Sequence, residues 1–186
     1  MFEAEKEGRA WQVAKQEDVA WVAANTKVGR TIVSAIPPVF QEYATVSFDL
    51  DFDISESQVT LIKSFTSLSK SLDWWLGFLD TGNADLVFWQ VPKVRLYSGW
   101  QYVCVKAGPL QALSWRSPST SDGKRLLPDL MFPQDRSWLF STLWDDTWSC
   151  VGGATSAVEA LSAVEGLSVR TVGLNDVMTP PGRDLI

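Results

Sequence analysis

The chain has 186 residues, 46% hydrophobic and 20% charged, with a formal net charge of −6. That size fits one domain of about 100–200 residues, and the apolar content is that of a folded protein, not a disordered one. An acidic chain offers no basic face to phosphates and is repelled by anionic lipid, so no nucleic acid and no membrane is expected as a partner.

In chain order, Met1-Phe2-Glu3-Ala4-Glu5-Lys6-Glu7 has neither the basic start nor the apolar core of a signal peptide. Residues 9–15 alternate as a strand does, with Trp11 and Val13 on one face. Residues 18–25 read as a short helix with Val19, Val22 and Ala23 inward, and residues 31–33 as a short strand stopped by Pro37-Pro38. Residues 43–52 alternate, with Val46, Phe48, Leu50 and Phe52 opposite Ser47, Asp49, Asp51 and Asp53. A helix follows, with Ser55 and Gln58 at capping-box spacing and Leu61, Ile62, Phe65, Leu68 and Leu72 as its apolar stripe.

Residues 74–79 are almost wholly apolar, the pattern of a strand covered on both faces. Further strands are predicted over 86–89, 94–97 and 100–106, then a short helix from Gly108-Pro109 to Trp115 and a long loop over 117–129. Residues 137–144 and 147–151 read as a hairpin turning at Asp145-Asp146, with Trp144 opposite Thr147 and Leu143 opposite Trp148. Ser156 and Glu159 open a helix that Gly166 ends, and 168–172 form a last strand. Hairpins outnumber strand-helix-strand units, so the predicted fold is α+β: a mixed, largely antiparallel sheet with two to four helices packed on it. Residues 1–178 are expected to form a single α+β domain, and 179–186 a flexible C-terminal tail.

The chain has no histidine and two cysteines. Catalysis by Ser-His-Asp or Cys-His is thereby excluded, as is a structural zinc site within one chain. Cys104 and Cys150 are expected as reduced, buried thiols of a cytoplasmic protein. No cofactor motif survives inspection. Val151-Gly152-Gly153-Ala154-Thr155-Ser156 leads from a strand into a helix, yet it lacks both the Walker lysine and the third glycine of a dinucleotide fingerprint.

The most chemical-looking string is Asp49-Leu50-Asp51-Phe52-Asp53, whose carboxylates on one strand face would suit Mg²⁺ or Ca²⁺. An EF-hand is ruled out by Ile54 at its sixth position and Thr60 at its twelfth. The string also resembles the Asp-x-Asp motif of haloacid dehalogenase-type phosphatases, which would make Asp49 a nucleophile, Asp51 its acid/base and Asp145-Asp146 the late acidic motif. That family's motif ends a buried parallel strand, whereas an amphipathic strand with solvated carboxylates is expected here. Ten tryptophans are more than a small core hides easily. Most belong in the core; Trp138, Trp144, Asp145, Asp146 and Trp148 are the candidate binding site, an acidic turn with aromatic walls.

The stretch from Phe132-Pro133-Gln134-Asp135-Arg136-Ser137-Trp138-Leu139 to Trp148-Ser149-Cys150-Val151-Gly152-Gly153 resembles a family of uncharacterised actinobacterial proteins. Gly29-Arg30-Thr31-Ile32-Val33-Ser34 through Phe40 and Trp74-Trp75-Leu76-Gly77-Phe78 through Gly82 extend the likeness. The resemblance implies a cytoplasmic bacterial protein and carries over no catalytic residue. The reading is a non-enzymatic interaction or ligand-binding domain, with a protein partner or a homodimer. The alternatives are a carboxylate- or metal-dependent hydrolase using Asp49, Asp51 and Asp53, or a small-molecule binder with a Trp-lined pocket beneath the 117–129 loop.

Overall fold

The computed structural model describes residues 2–49, 51–82, 87–88, 90–115, 117–118, 125–143 and 146–180, the side chains of 117, 118, 125 and 126 excepted. Two strands open the chain, β1 (Phe2–Lys6) and β2 (Arg9–Val13), paired antiparallel with Lys6 opposite Arg9. Glu7 and Gly8 have left-handed φ values of 56° and 73°, the geometry of a two-residue hairpin turn that suits strand twist. No strand is predicted at β1, because four of its five residues are exposed and leave no alternating pattern.

Helix α1 (Gln16–Ala23) is entered where Asp18 Oδ2 accepts the Lys15 amide at 2.8 Å, and it buries Val19 and Val22. Residues 31–33 are not a strand. Ile32–Ser34 is a turn of 3₁₀ helix, with the Ser34 and Ala35 amides donating back to Thr31 and Ile32, while only Thr31 bridges to Val177. Strand β3 (Glu42–Phe48) stops earlier than the alternation to Phe52 implies. Helix α2 (Ile54–Leu68) is capped by Asp53, not Ser55: its Oδ1 accepts the Ser55 amide at 2.8 Å. Leu61, Ile62 and Phe65 are buried as the stripe requires, whereas Leu72 lies beyond the helix and is 57% exposed.

Strand β4 (Trp74–Leu79) has the predicted bounds. Val87 and Phe88, expected in a strand, lie in a turn, with φ of 60° at Phe88; residues 86 and 89 of that prediction lie outside the described residues. Strands β5 (Val94–Leu96) and β6 (Trp100–Ala107) form a hairpin, and α3 (Pro109–Ser114) follows Gly108. A two-residue ribbon, β7 (Ser117–Pro118) and β8 (Arg125–Leu126), frames most of the predicted loop, whose residues 119–124 lie outside the described set. The buried run β9 (Leu130–Pro133) was too short to show a period.

Strands β10 (Leu139–Ser141) and β11 (Ser149–Gly153) pair with Ser141 opposite Cys150. That register is the one a turn at Asp145-Asp146 demands, but the ladder stops before reaching it. Helix α4 (Thr155–Ser162) begins after Ala154 without a side-chain cap, and β12 (Leu167–Val172) closes the sheet.

The order β1-β2-β6-β4-β9-β10-β11-β3-β12, with β5 beside β6, makes a ten-stranded sheet whose pairings are antiparallel throughout. With the four α-helices found among the described residues packed on this sheet, the fold class is α+β. Alternation along β4 supplies two cores at once. Trp74, Leu76 and Phe78 join α2, α3 and α4 on one face; Trp75 and Leu79 join α1, the 3₁₀ turn and the β5–β6 hairpin on the other. No helix among the described residues is long and apolar enough to cross a membrane.

Candidate functional site

The predicted aromatic site is not assembled as one surface. Trp138 is 1% exposed and belongs to the core beneath α2, where it stacks on Phe65 and donates Nε1–H to Ser69 Oγ at 2.9 Å. Trp148 is 5% exposed and belongs to the core on the opposite face of the sheet. Asp146 is half-buried, its amide donating to the Leu143 carbonyl at 3.1 Å; Trp144 and Asp145 lie outside the described residues. Burying the indoles removes more apolar area than any other side chain offers, so the two tryptophans that can be placed were drawn inward. Of the other tryptophans, 11, 74, 75 and 115 are also buried, while 21 and 100 are part-exposed.

The three carboxylates at 49, 51 and 53 do not share a strand face, because β3 ends at Phe48. Asp49 Oδ1 accepts the Asp51 amide at 3.0 Å, which turns the chain, and Asp53 caps α2. Both are thus committed to local backbone geometry, and Asp51 is exposed. No group of three such ligands is gathered among the described residues. Asp49 and Asp51 do line a shallow polar cleft with Thr45, Ser47 and Arg170 at the β3–β12 end of the sheet.

A larger concave feature lies at the other end, on the α2–α3 face. It is a groove of about 830 Å³ bounded by the β1–β2 hairpin, α2 and the Ala107-Gly108-Pro109 entry to α3. Trp11, Ile62 and Ala107 are its buried floor, and Leu72 and Leu110, 57% and 75% exposed, stand on its rim. A concavity of this size, apolar within and polar at its edge, has the character of small-molecule sites.

The sequence builds this floor in a simple way. Arg9 and Trp11 are two apart on β2 and so share a face, which puts the Arg9 guanidinium 3.6 Å from the Trp11 ring centre. Trp115 supports the same ring edge-on at 4.7 Å, and its Nε1–H is satisfied by Glu7 Oε1 at 2.7 Å. Trp11 donates its own Nε1–H to the Lys6 carbonyl. The aromatic floor is therefore fixed by the hairpin turn itself. Lys63 and Lys106 complete the rim, the latter 3.6 Å from Asp73.

A second cluster of polar groups is internal. Asp129 Oδ2 accepts the Leu79 amide at 2.8 Å, continuing the β4–β9 ladder with a side chain. Burial pushes its carboxyl up to about 6, although the Leu79 amide works in the opposite direction. Nearby, Tyr97 and Ser141 share a hydrogen bond of 2.8 Å, while the Tyr102 hydroxyl has no partner among the described residues. Burial raises both phenols and both thiols, Cys104 and Cys150, so all four are neutral near pH 7. Such a cluster has one titratable carboxyl but lines neither the groove nor the polar cleft.

Neither Arg9, Lys63 nor Asp129 was anticipated. Arg9 two residues from a tryptophan on a strand is a readable signal in hindsight; Asp129 carries none, since Pro128-Asp129 looks like any loop end.

Comparison with protein-family models, curated proteins and solved structures gives no match to this chain.

Proposed function

We propose that the protein is a non-enzymatic binding domain, and that the groove between the β1–β2 hairpin, α2 and α3 holds an apolar guest. The observation that carries this reading is the pairing of a rigid aromatic floor with two exposed leucines on one rim. Leu72 and Leu110 keep 57% and 75% of their surface exposed, yet they flank Trp11, Ile62 and Ala107. Apolar surface left at the edge of an apolar concavity is completed by a guest. A hydrolase built on Asp49, Asp51 and Asp53 has less support, because Asp49 already holds a chain turn and Asp53 already caps α2.

Titration with 1-decanol, followed by tryptophan fluorescence and calorimetry, tests the reading with an uncharged probe. The expected result is one saturable site that a Leu72→Asp/Leu110→Asp double variant weakens about tenfold, as losing two leucine contacts of about 0.7 kcal/mol each would do. Both positions are exposed, so the variant should fold normally. Absence of saturable binding, or equal binding by the variant, would count against the groove.

A further inference from the structure

The groove carries a charge pattern that its apolar floor does not require. The chain as a whole is acidic, at −6, but three basic side chains, Arg9, Lys63 and Lys106, face two acidic ones, Glu3 and Asp73, around this groove. Lys106 is matched by Asp73 at 3.6 Å. Arg9 and Lys63 have no carboxylate within salt-bridge distance among the described residues. The Arg9 guanidinium carbon instead sits over the Trp11 ring, 3.6 Å from its centre, a contact that holds the group in place without using its N–H donors, which can then bind an anion. Lys63, on α2 one residue after the floor residue Ile62, stands exposed at the same groove.

We infer that the guest is an amphipathic carboxylate: a small molecule whose apolar body packs against Leu72 and Leu110 above the Trp11, Ile62 and Ala107 floor and whose carboxylate is held by Arg9 and Lys63. This rests on the groove reading above and adds its ligand class. The arrangement separates the two tasks a small-molecule site performs, since apolar area comes chiefly from Leu72 and Leu110 and orientation from a few charged donors at the edge. Arg suits the role because its fork pairs both oxygens of a carboxylate, and such charge-assisted bonds exceed neutral ones in strength. A volume of about 830 Å³ accepts a chain or ring system of this kind, being within the range of about 300–1,000 Å³ typical of such sites and small for a docked helix.

The test compares two probes of one length, decanoate and 1-decanol, both below micelle formation and titrated at low and high salt. Decanoate is expected to bind about tenfold more tightly at low salt, with the difference shrinking in high salt as exposed charges are screened. Lys63→Gln should reduce the preference, and Arg9→Gln/Lys63→Gln should abolish it, so that the two probes bind equally. If Arg9→Gln disturbs the hairpin, Lys63→Glu alone decides, since reversing that charge should turn the preference towards the alcohol. Equal affinity for both probes would overturn the carboxylate inference and leave the groove reading standing. Binding of neither probe would overturn both. Co-sedimentation with phosphatidylglycerol vesicles in the absence of decanoate binding would also overturn it, pointing to a lipid surface.

Discussion

The Trp138 indole lies on the Phe65 ring with centroids 4.1 Å apart and planes 19° apart, and it meets Trp74 edge-on at 4.8 Å. This contact ties the entry to β10 onto α2 and across to β4, on three separate parts of the chain. Trp138→Ala should therefore destabilise the fold by about 3–5 kcal/mol, with a cavity under α2. Ser69→Ala, which leaves the indole N–H buried without its acceptor, should cost about 1–3 kcal/mol. Urea unfolding measures both. A loss below about 1 kcal/mol for Trp138→Ala would mean that the ring is not the core element described.

Two glycines permit the strands to approach their coverings. A Cβ at Gly77 would come within 2.8 Å of Leu130 Cβ, and one at Gly152 would meet the Phe40 ring first and the Ile36 methyl at 2.6 Å. Gly77→Ala and Gly152→Ala should each destabilise by about 1–3 kcal/mol through overpacking, since the Leu130 Cβ at one site and the buried Ile36 methyl at the other cannot swing aside. Thermal unfolding of the two variants gives the comparison, and an unchanged midpoint for Gly77→Ala would contradict the packing.

How much of this was legible in the sequence depends on what fixed each element. Trp74–Leu79 was readable because a strand buried on both faces is uniformly apolar. The α2 stripe was readable through Leu61, Ile62 and Phe65, but its start was not. Asp53 continues the spacing of Asp49 and Asp51 and so looks like one more strand carboxylate, although Asp is as good a cap as Ser. The pairing of Ser141 with Cys150 is the one a two-residue turn at Asp145-Asp146 requires, but the ladder does not extend to Leu143 and Trp148, and the Asp146 amide bonds the Leu143 carbonyl instead. The candidate site was hardly legible. It is made where β2, α2 and α3 meet, and nothing local in Arg9, Lys63 or Leu110 records that they are neighbours. Trp138 and Trp148 are close in sequence yet serve opposite faces of the sheet, which only the fold reveals.

Asp129 gives a pH signature. Its folded-state carboxyl is raised to about 6 from an ordinary 3.8 by burial, so the folded chain holds this proton more tightly than the unfolded one. Its contribution to stability is greatest below about pH 4, declines as pH rises to about 6, and is level above that. Asp129→Asn keeps an oxygen for the Leu79 amide and removes the ionisation. Relative to wild type, the variant should therefore gain about 2–3 kcal/mol between pH 4 and 7. Urea unfolding across that range checks the difference, and a constant offset would contradict the raised carboxyl.

Cys104 and Cys150 are 1% and 2% exposed, and burial raises both thiols well above their ordinary range. Neither should react with a disulfide reagent at pH 8 in the native protein, and both should react on unfolding in urea, because the thiolate is the nucleophile. Stoichiometric native-state labelling would place at least one thiol at the surface.

The central claim is that the groove floored by Trp11 is where this protein binds. The indole N–H resonances in a ¹⁵N correlation spectrum test it most directly, because the aromatic floor is itself the reporter. On titration with decanoate, the Trp11 indole is predicted to shift in a saturable way, Trp115 to follow through its edge-on contact, and Trp74, Trp138 and Trp148 to stay in place. Saturable shifts at Trp148 with Trp11 unmoved would contradict the account and move the site to the opposite face of the sheet.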